Sequence, residues 1–292
     1  NDTVYIMSSF PSKLDYVNNR RLAPVVRFDM SDKSKGILQS STTRRDGVLA
    51  NMDIGVDVLN RFGLKNKEMV GKKLIGKKMD NNIEFLLKDY KKIVAVSSIR
   101  MDIINIYVTF ISISWIVAAI ALWQKNKLPA KYRNNILLLL KELVKFGLIM
   151  PLAFLTAPIF NPTSGVQISI LIVAVSLIYY LLARKLFKND DIMQIGFFSL
   201  LMILVITIDS AISTPLMQSN IMSYDPMIGA RYYGVGNEYE GVTIGSAILG
   251  FAVLVERKKI PKWLTAILLA IILFISAYPG MGANVGGAIS GC

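Results

Sequence analysis

The densest concentration of chemically useful side chains lies in one stretch, Tyr224-Asp225-Pro226-Met227-Ile228-Gly229-Ala230-Arg231-Tyr232-Tyr233-Gly234-Val235-Gly236-Asn237-Glu238-Tyr239-Glu240-Gly241. It holds four glycines, four tyrosines and four charged residues. Arg231 offers a planar fork suited to phosphate or carboxylate, with Tyr232 and Tyr233 beside it. Asn237 and Glu238 open an apolar run that reads as a helix, and the free N–H groups of a helix start favour anions. Glycines let a non-helical backbone approach a ligand or a neighbouring helix closely. Glu238, with Asp209 from the segment upstream, has the chemistry of a general acid or base. The pattern points to Glu238 and Asp209 as catalytic groups, and to Arg231, Tyr232, Tyr233, Asn237 and Asn284 as substrate contacts. A plainer reading of the same stretch is an interfacial belt of aromatic residues with a glycine-rich turn.

Asn284 belongs to a second glycine-rich island, Tyr278-Pro279-Gly280-Met281-Gly282-Ala283-Asn284-Val285-Gly286-Gly287, and Asp209 is followed closely by Thr214-Pro215. Three segments would thus meet in one layer, although small residues at 282–287 also suit tight helix packing. The elements that must place them are apolar stretches at 103–123, 143–160, 166–186, 192–213, 242–255 and 264–277. About 20 apolar residues cross the ~30 Å hydrocarbon core of a bilayer, so these predict a multi-pass membrane protein.

Basic residues fall in alternate loops. Lys125, Lys127, Lys131 and Arg133 follow the first stretch, Arg184, Lys185 and Lys188 the third, and Arg257, Lys258, Lys259 and Lys262 the fifth. The 160–165 loop has no charge, and the 214–237 loop has one Arg. Positive loops stay in the cytoplasm. The first hundred residues, and the loops around Pro162, Asp225 and Gly282, are therefore expected outside the cell membrane.

Composition agrees: 53% of residues are hydrophobic and the mean hydropathy is +0.47, too apolar for an ordinary soluble domain. The net charge of +13 would suggest nucleic acid in a soluble chain. With much of it in membrane loops, anionic lipid headgroups are the expected partner and nucleic acid is not. One Cys, Cys292, excludes an internal disulfide and a Cys-based metal site, and the absence of His removes the commonest general base and zinc ligand. The chain opens on Asn1 without an initiator Met and ends just past the sixth stretch. It is expected to be a piece of a longer polypeptide, with an export signal upstream.

Before the first apolar stretch, strand and helix patterns alternate. The runs 3–8 and 22–28 read as strands of an α/β sheet. From Met52 onward, Ile54, Val58, Leu59 and Phe62 share one helical face, and Gly63 supplies a stop. Residues 81–102 read as an amphipathic connector, with Ile83, Leu86, Leu87, Tyr90, Ile93 and Val94 at helical spacing and Lys88, Lys91 and Lys92 between them.

The segments 22–28, 40–43, 48–64 and 70–74 resemble the C-terminal part of the alkaline phosphatase superfamily, which includes sulfatases, phosphodiesterases and phosphoglycerate mutases. There a strand and a Ser/Thr-rich segment lead to a V-x-N-T-D-I-A-P-T-I-L-x-L-x-G-I helix and a G-x-x-L tail. Here Met52 replaces the usual Thr, Gly55-Val56-Asp57 replaces Ala-Pro-Thr, and Ser9-Phe10-Pro11 stands where an Asp-His ligand pair is common. The resemblance implies a Ser or Thr nucleophile and a divalent metal, which stabilises phosphoryl charge. Without His this stretch cannot complete that site. The domain is either inactive or relies on residues upstream, and a metal is expected only in the second case. The two glycine-rich islands also resemble segments of uncharacterised bacterial integral membrane proteins that carry such a domain ahead of the membrane part, with Glu240 at a position where an apolar residue is expected.

The expected fold is a partial α/β extracytoplasmic domain (1–80), the connector (81–102) and an all-α membrane domain of about six helices (103–292). Two function classes follow. One is a bacterial envelope protein that binds or processes a phosphorylated or lipid-linked substrate, an envelope glycan for example, as a phosphatase, sulfatase or phosphotransferase-like enzyme. The other is a transporter or channel-like module with an inactive phosphatase-like domain.

Overall fold

A computed structural model describes residues 2–30, 35–64, 68–188, 190–229 and 231–292. Asn1 and Ala230 of the segments above lie outside the described residues. The chain divides into two compact units, residues 1–97 with 224–233, and residues 98–223 with 234–292.

Among the described residues, the first unit contains two separate two-stranded antiparallel sheets. In one, β1 (Thr3–Met7) pairs with β2 (Val25–Asp29), with Thr3 opposite Asp29 and Met7 opposite Val25. The short α1 (Lys13–Val17) connects them and is capped by Ser12, whose hydroxyl accepts from the Asp15 N–H. In the other, β3 (Gly36–Gln39) pairs with β4 (Ile75–Lys78). The two runs read as strands form β1 and β2 and pair with each other, while β3 and β4 make a separate sheet.

The helix expected from Met52 is α2 (Asn51–Arg61), and its deepest residues differ from the apolar set. Asp53 and Asp57 are buried at 0% and 1% exposure, whereas Phe62 is 77% exposed. Asp53 accepts from Thr42 Oγ1 (2.5 Å), from the N–H of Ala50 (3.1 Å) and from the N–H of Lys72 (2.8 Å). Asp57 accepts from Tyr5, from Arg27 (3.2 Å) and from the N–H of Leu74 (3.2 Å). The geometry has a simple origin. Carboxylates four apart on a helix stand ~6 Å apart along the axis, and amides two apart in an extended chain are ~6.6 Å apart. The helix therefore grips alternate amides of the 70–74 segment. Gly71 permits the approach, since a Cβ there would lie 2.3 Å from the Met52 carbonyl oxygen. Burial and the hydrogen bond to Asp57 push the Tyr5 hydroxyl above its ordinary pKa.

The second unit is a largely helical membrane domain. Its first helix is the continuation of α3 (Asn82–Trp123), which contains no Gly or Pro. The connector and the first apolar stretch are accordingly one helix, ~63 Å long at 1.5 Å per residue. Then come α4 (Ala130–Thr156), α5 (Gly165–Phe187), α6 (Asp191–Ala211), α7 (Asn237–Lys258), α8 (Lys262–Ala277) and α9 (Val285–Gly291). Among the described residues, five helices are long and apolar enough to cross a membrane: α3, α4 with its 3₁₀ extension to Phe160, α5, α6 and α7. The sixth stretch, α8, is shorter, bounded by Pro261 before it and by Tyr278-Pro279-Gly280 after it. α6 and α7 pack closely, since a Cβ on Gly196 would meet Val253 at 2.6 Å and one on Gly250 would meet Leu200 at 3.0 Å.

Replacing Asp53 by Ala should destabilise the 70–74 segment by about 3 kcal/mol, because the amides of Ala50 and Lys72 lose a buried carboxylate acceptor. Phe62→Ser should cost under ~0.5 kcal/mol. Hydrogen exchange of the Lys72 amide, read by mass spectrometry, separates the two.

Candidate functional site

In the membrane unit, the three glycine-rich or polar segments meet as a tight knot. The Val235 N–H donates to the Gly282 carbonyl (2.7 Å), and the Gly234 N–H donates to Thr214 Oγ1 (3.1 Å). A Cβ on Gly234, which has φ +88°, would stand 2.4 Å from the Gly282 carbonyl oxygen. Asn284 is 5% exposed, donates to the Val235 carbonyl (3.0 Å) and to Asn237 Oδ1 (3.4 Å), and caps α9 by accepting from the Gly287 N–H (2.9 Å). Ser276 donates to the buried Glu240. Asn284 thus acts as a strut between two segments, while Asn237 is exposed.

Asp209 is enclosed at 1% exposure. One oxygen accepts from the Leu216 N–H (2.7 Å) and the other from the Met217 N–H (3.1 Å), while its carbonyl accepts from the Thr214 N–H (2.7 Å). These bonds close a loop in which Ser213 and Thr214 both adopt positive φ, 72° and 60°. Non-glycine residues rarely take that conformation. The geometry makes Asp209 a positioning residue for the loop.

Arg231, Tyr232 and Tyr233 lie in the first unit, because 224–233 folds with residues 1–97. Met227 packs against Val48 and Ile93, and Asp225 accepts from Ser97 Oγ (2.7 Å). Arg231 Nε donates to the Tyr233 carbonyl (3.1 Å), and the Arg44 guanidinium lies 3.9 Å from the centre of the Tyr233 ring. Burial and the nearby charge of Asp53 raise the Tyr232 pKa. Arg45 forms a two-pronged pair with Asp89, at 3.1 and 2.9 Å. The seven candidates therefore fall into two groups: Arg231, Tyr232 and Tyr233 in one unit, and Asp209, Asn237, Glu238 and Asn284 in the other.

Glu238 lines a cavity of ≈ 360 Å³ inside the membrane unit. One face of α7 supplies Glu238, Gly241, Val242, Gly245, Ser246 and Leu249, at the spacing of a single helical stripe. Gly241 and Gly245 are informative, because a Cβ at either would meet nothing within 4 Å. Unlike Gly196 and Gly250, they leave room in place of a close helix contact. Tyr107, Ile111 and Trp115 of α3, and Phe198 and Met202 of α6, supply much of the apolar wall. Pro151 lies inside α4 and cannot donate to the Gly147 carbonyl one turn back. Tyr107 donates to that carbonyl instead (3.3 Å), and Tyr239 donates to the Pro151 carbonyl (3.1 Å). The wall is thus built around a helix defect whose freed backbone group is met, as a bilayer requires.

Lys145 and Gln194 also line the cavity, far from Glu238 along the helices. Lys145, 4% exposed, pairs with Asp191 (2.6 Å) and Glu142 (2.9 Å) and donates to Gln194 (3.0 Å). Glu238 itself is 49% exposed and stands 3.5 Å from Arg100. Sequence reasoning passed over Arg100, Tyr107, Lys145 and Pro151. An ionisable residue inside an apolar run was the available signal for Lys145, as was a proline at 151. Nothing in the spacing singled out Arg100.

Among the described residues, no group of three or more His, Cys, Asp or Glu could hold a metal ion. No protein family, curated protein or solved structure matches the chain.

Asp209→Ala should lower stability by about 3 kcal/mol, since it strands two buried amides. Glu238→Gln should change it by under ~1 kcal/mol, because a half-exposed pair contributes little. Thermal unfolding in detergent distinguishes the two, and equal losses would contradict these assignments.

Proposed function

We propose that this chain belongs to a multi-pass protein of the bacterial cell membrane whose helical domain binds the hydrocarbon part of a lipid-linked envelope substrate. The cavity beside α7 carries this reading. Its walls are apolar, its size suits part of a lipid chain rather than a bulky solute, and two glycines keep it open. Ligand sites of this kind are mostly apolar with a few placed polar groups, here Glu238 at one end. Loop charge supports an outer location for the first hundred residues, with Lys and Arg concentrated in alternate loops.

The first unit is read as the C-terminal part of a phosphatase-like domain that serves the same substrate. The segments carrying that resemblance meet through Asp53, which stands at the Asp of the helix motif and accepts from the amide of Lys72 in the G-x-x-L tail. Processing would then use groups upstream of this chain, or Glu238 as acid or base. A second reading, transport, is favoured by one observation. Ionisable groups stand at both ends of the cavity, Glu238 at one and Lys145 with its carboxylates at the other.

Gly245→Phe fills the cavity from a position with open space before it. Protein purified in mild detergent should carry a lipid that organic extraction and mass spectrometry identify. The variant should carry roughly tenfold less, corresponding to ~1.4 kcal/mol of lost affinity, and Gly245→Ala should behave as wild type. Equal lipid content in the Phe variant would exclude the cavity as the binding place.

A further inference from the structure

We infer that Arg100, Ser223 and the first turn of α7 form a receptor for the phosphate group of an amphiphile, an inference that rests on the reading of the cavity above. α7 begins after Gly236, which supplies no side-chain cap, and among the described residues the amides of Asn237, Glu238 and Tyr239 have no hydrogen-bond acceptor. Free amides at a helix start are commonplace and by themselves identify nothing. Two further groups converge on this one.

Ser223 is completely buried, and its hydroxyl has no partner among the described residues. It lies 3.7 Å from where a Cβ on Gly236 would stand, directly beside the helix start. Asn220 fixes it there, its side-chain oxygen accepting from the N–H groups of Met222 (2.9 Å) and Ser223 (3.0 Å). Arg100, with 12% of its side chain exposed, donates to the Ser223 carbonyl, yet its buried Nε has no partner among the described residues. A guanidinium, a hydroxyl and three amides with unmet donor capacity thus surround one spot. Buried donors are nearly always satisfied, so the unmet Ser223 hydroxyl and Arg100 Nε point to an oxygen-rich anion at this helix start.

Its present occupant is Glu238. One carboxylate oxygen stands 3.5 Å from Arg100, and the other is 3.2 Å from the Cβ position of Gly236. The first distance exceeds the ~2.7–2.9 Å of a good charged hydrogen bond, and the side chain is half exposed. Glu238 also lines the cavity, which connects the anion spot to the space for a hydrocarbon chain. A phosphate would replace this loosely held carboxylate, taking Nε of Arg100, the Ser223 hydroxyl and the helix amides. In this role Glu238 competes with the ligand, the opposite of what a substrate contact would do.

The test uses the whole chain in dodecyl maltoside micelles, titrated with monododecyl phosphate, with dodecanol and inorganic phosphate as comparators, by calorimetry. Monododecyl phosphate should bind roughly tenfold more tightly than dodecanol, an advantage of ~1.4 kcal/mol. Arg100→Gln should abolish that advantage, and Glu238→Gln should enlarge it several-fold. Equal affinity for phosphate and alcohol would overturn the receptor while leaving the cavity reading intact. Failure of both amphiphiles to bind would overturn the cavity reading as well. Inorganic phosphate binding as tightly as the amphiphile would overturn the lipid origin of the ligand. Should Arg100→Gln not fold, Glu238→Gln decides alone: weaker or unchanged phosphate binding would exclude competition at this spot.

Discussion

Buried carboxylates whose oxygens are taken up by backbone amides are the constraint on which both units depend. A carboxylate removed from water must find donors or lose its charge. Asp53 and Asp57 find theirs in the amides of Lys72 and Leu74, which ties a helix to an extended segment with no strand pairing between them. Asp209 finds its own in Leu216 and Met217, at the mouth of a loop whose backbone would not otherwise hold two consecutive positive φ angles. Because these three are fully committed to the fold, Glu238, half exposed and loosely paired, is the carboxylate of the candidate set that can respond to a ligand.

The bilayer imposes a second version of the same rule on α4. Pro151 frees a carbonyl inside a helix that has no water to turn to, and a hydroxyl from α3 reaches across to meet it. The two helices are held at that point by a polar bond, so the space alongside does not have to be filled by apolar packing. Cavity and proline site are in this sense a single feature, with Tyr107 and Pro151 contributing to both.

Much of the architecture was legible from residue types alone. Hydropathy located all the apolar helices, because a run of apolar residues has few other stable arrangements. The meeting of the segments around Asp209, Gly234 and Gly282 could be anticipated from their shared position in the order of helices. What could not be read was which atoms face which. Periodicity assigned Phe62 to a buried face because it registers hydrophobicity, whereas the burial of Asp53 and Asp57 depends on acceptor geometry that no hydropathy pattern encodes. The 81–102 connector was separated from the first apolar stretch by its lysines, yet with no Gly or Pro to stop it the helix simply continues. Gly245 and Gly250 sit on the same helix five residues apart, one open to a cavity and the other pressed against Leu200. Spacing treats them alike. Arg231 stood out because of its aromatic and glycine neighbours, while Arg100, near the end of the 81–102 connector, is the one beside Glu238.

The inclusion of 224–233 in the first unit has a consequence for biosynthesis. Val48 and Ile93 are made early, but the Met227 side chain that covers them, and the Asp225 carboxylate that receives Ser97, emerge only after α4, α5 and α6. Domains usually fold in the order of their synthesis, N-terminal parts first. Here the unit that is begun first is completed late, and its last piece arrives on a segment strung between two membrane helices. Insertion of α6 and α7 is therefore a step in the folding of the N-terminal unit, and an expression fragment that stops before residue 224 would leave its apolar centre uncovered.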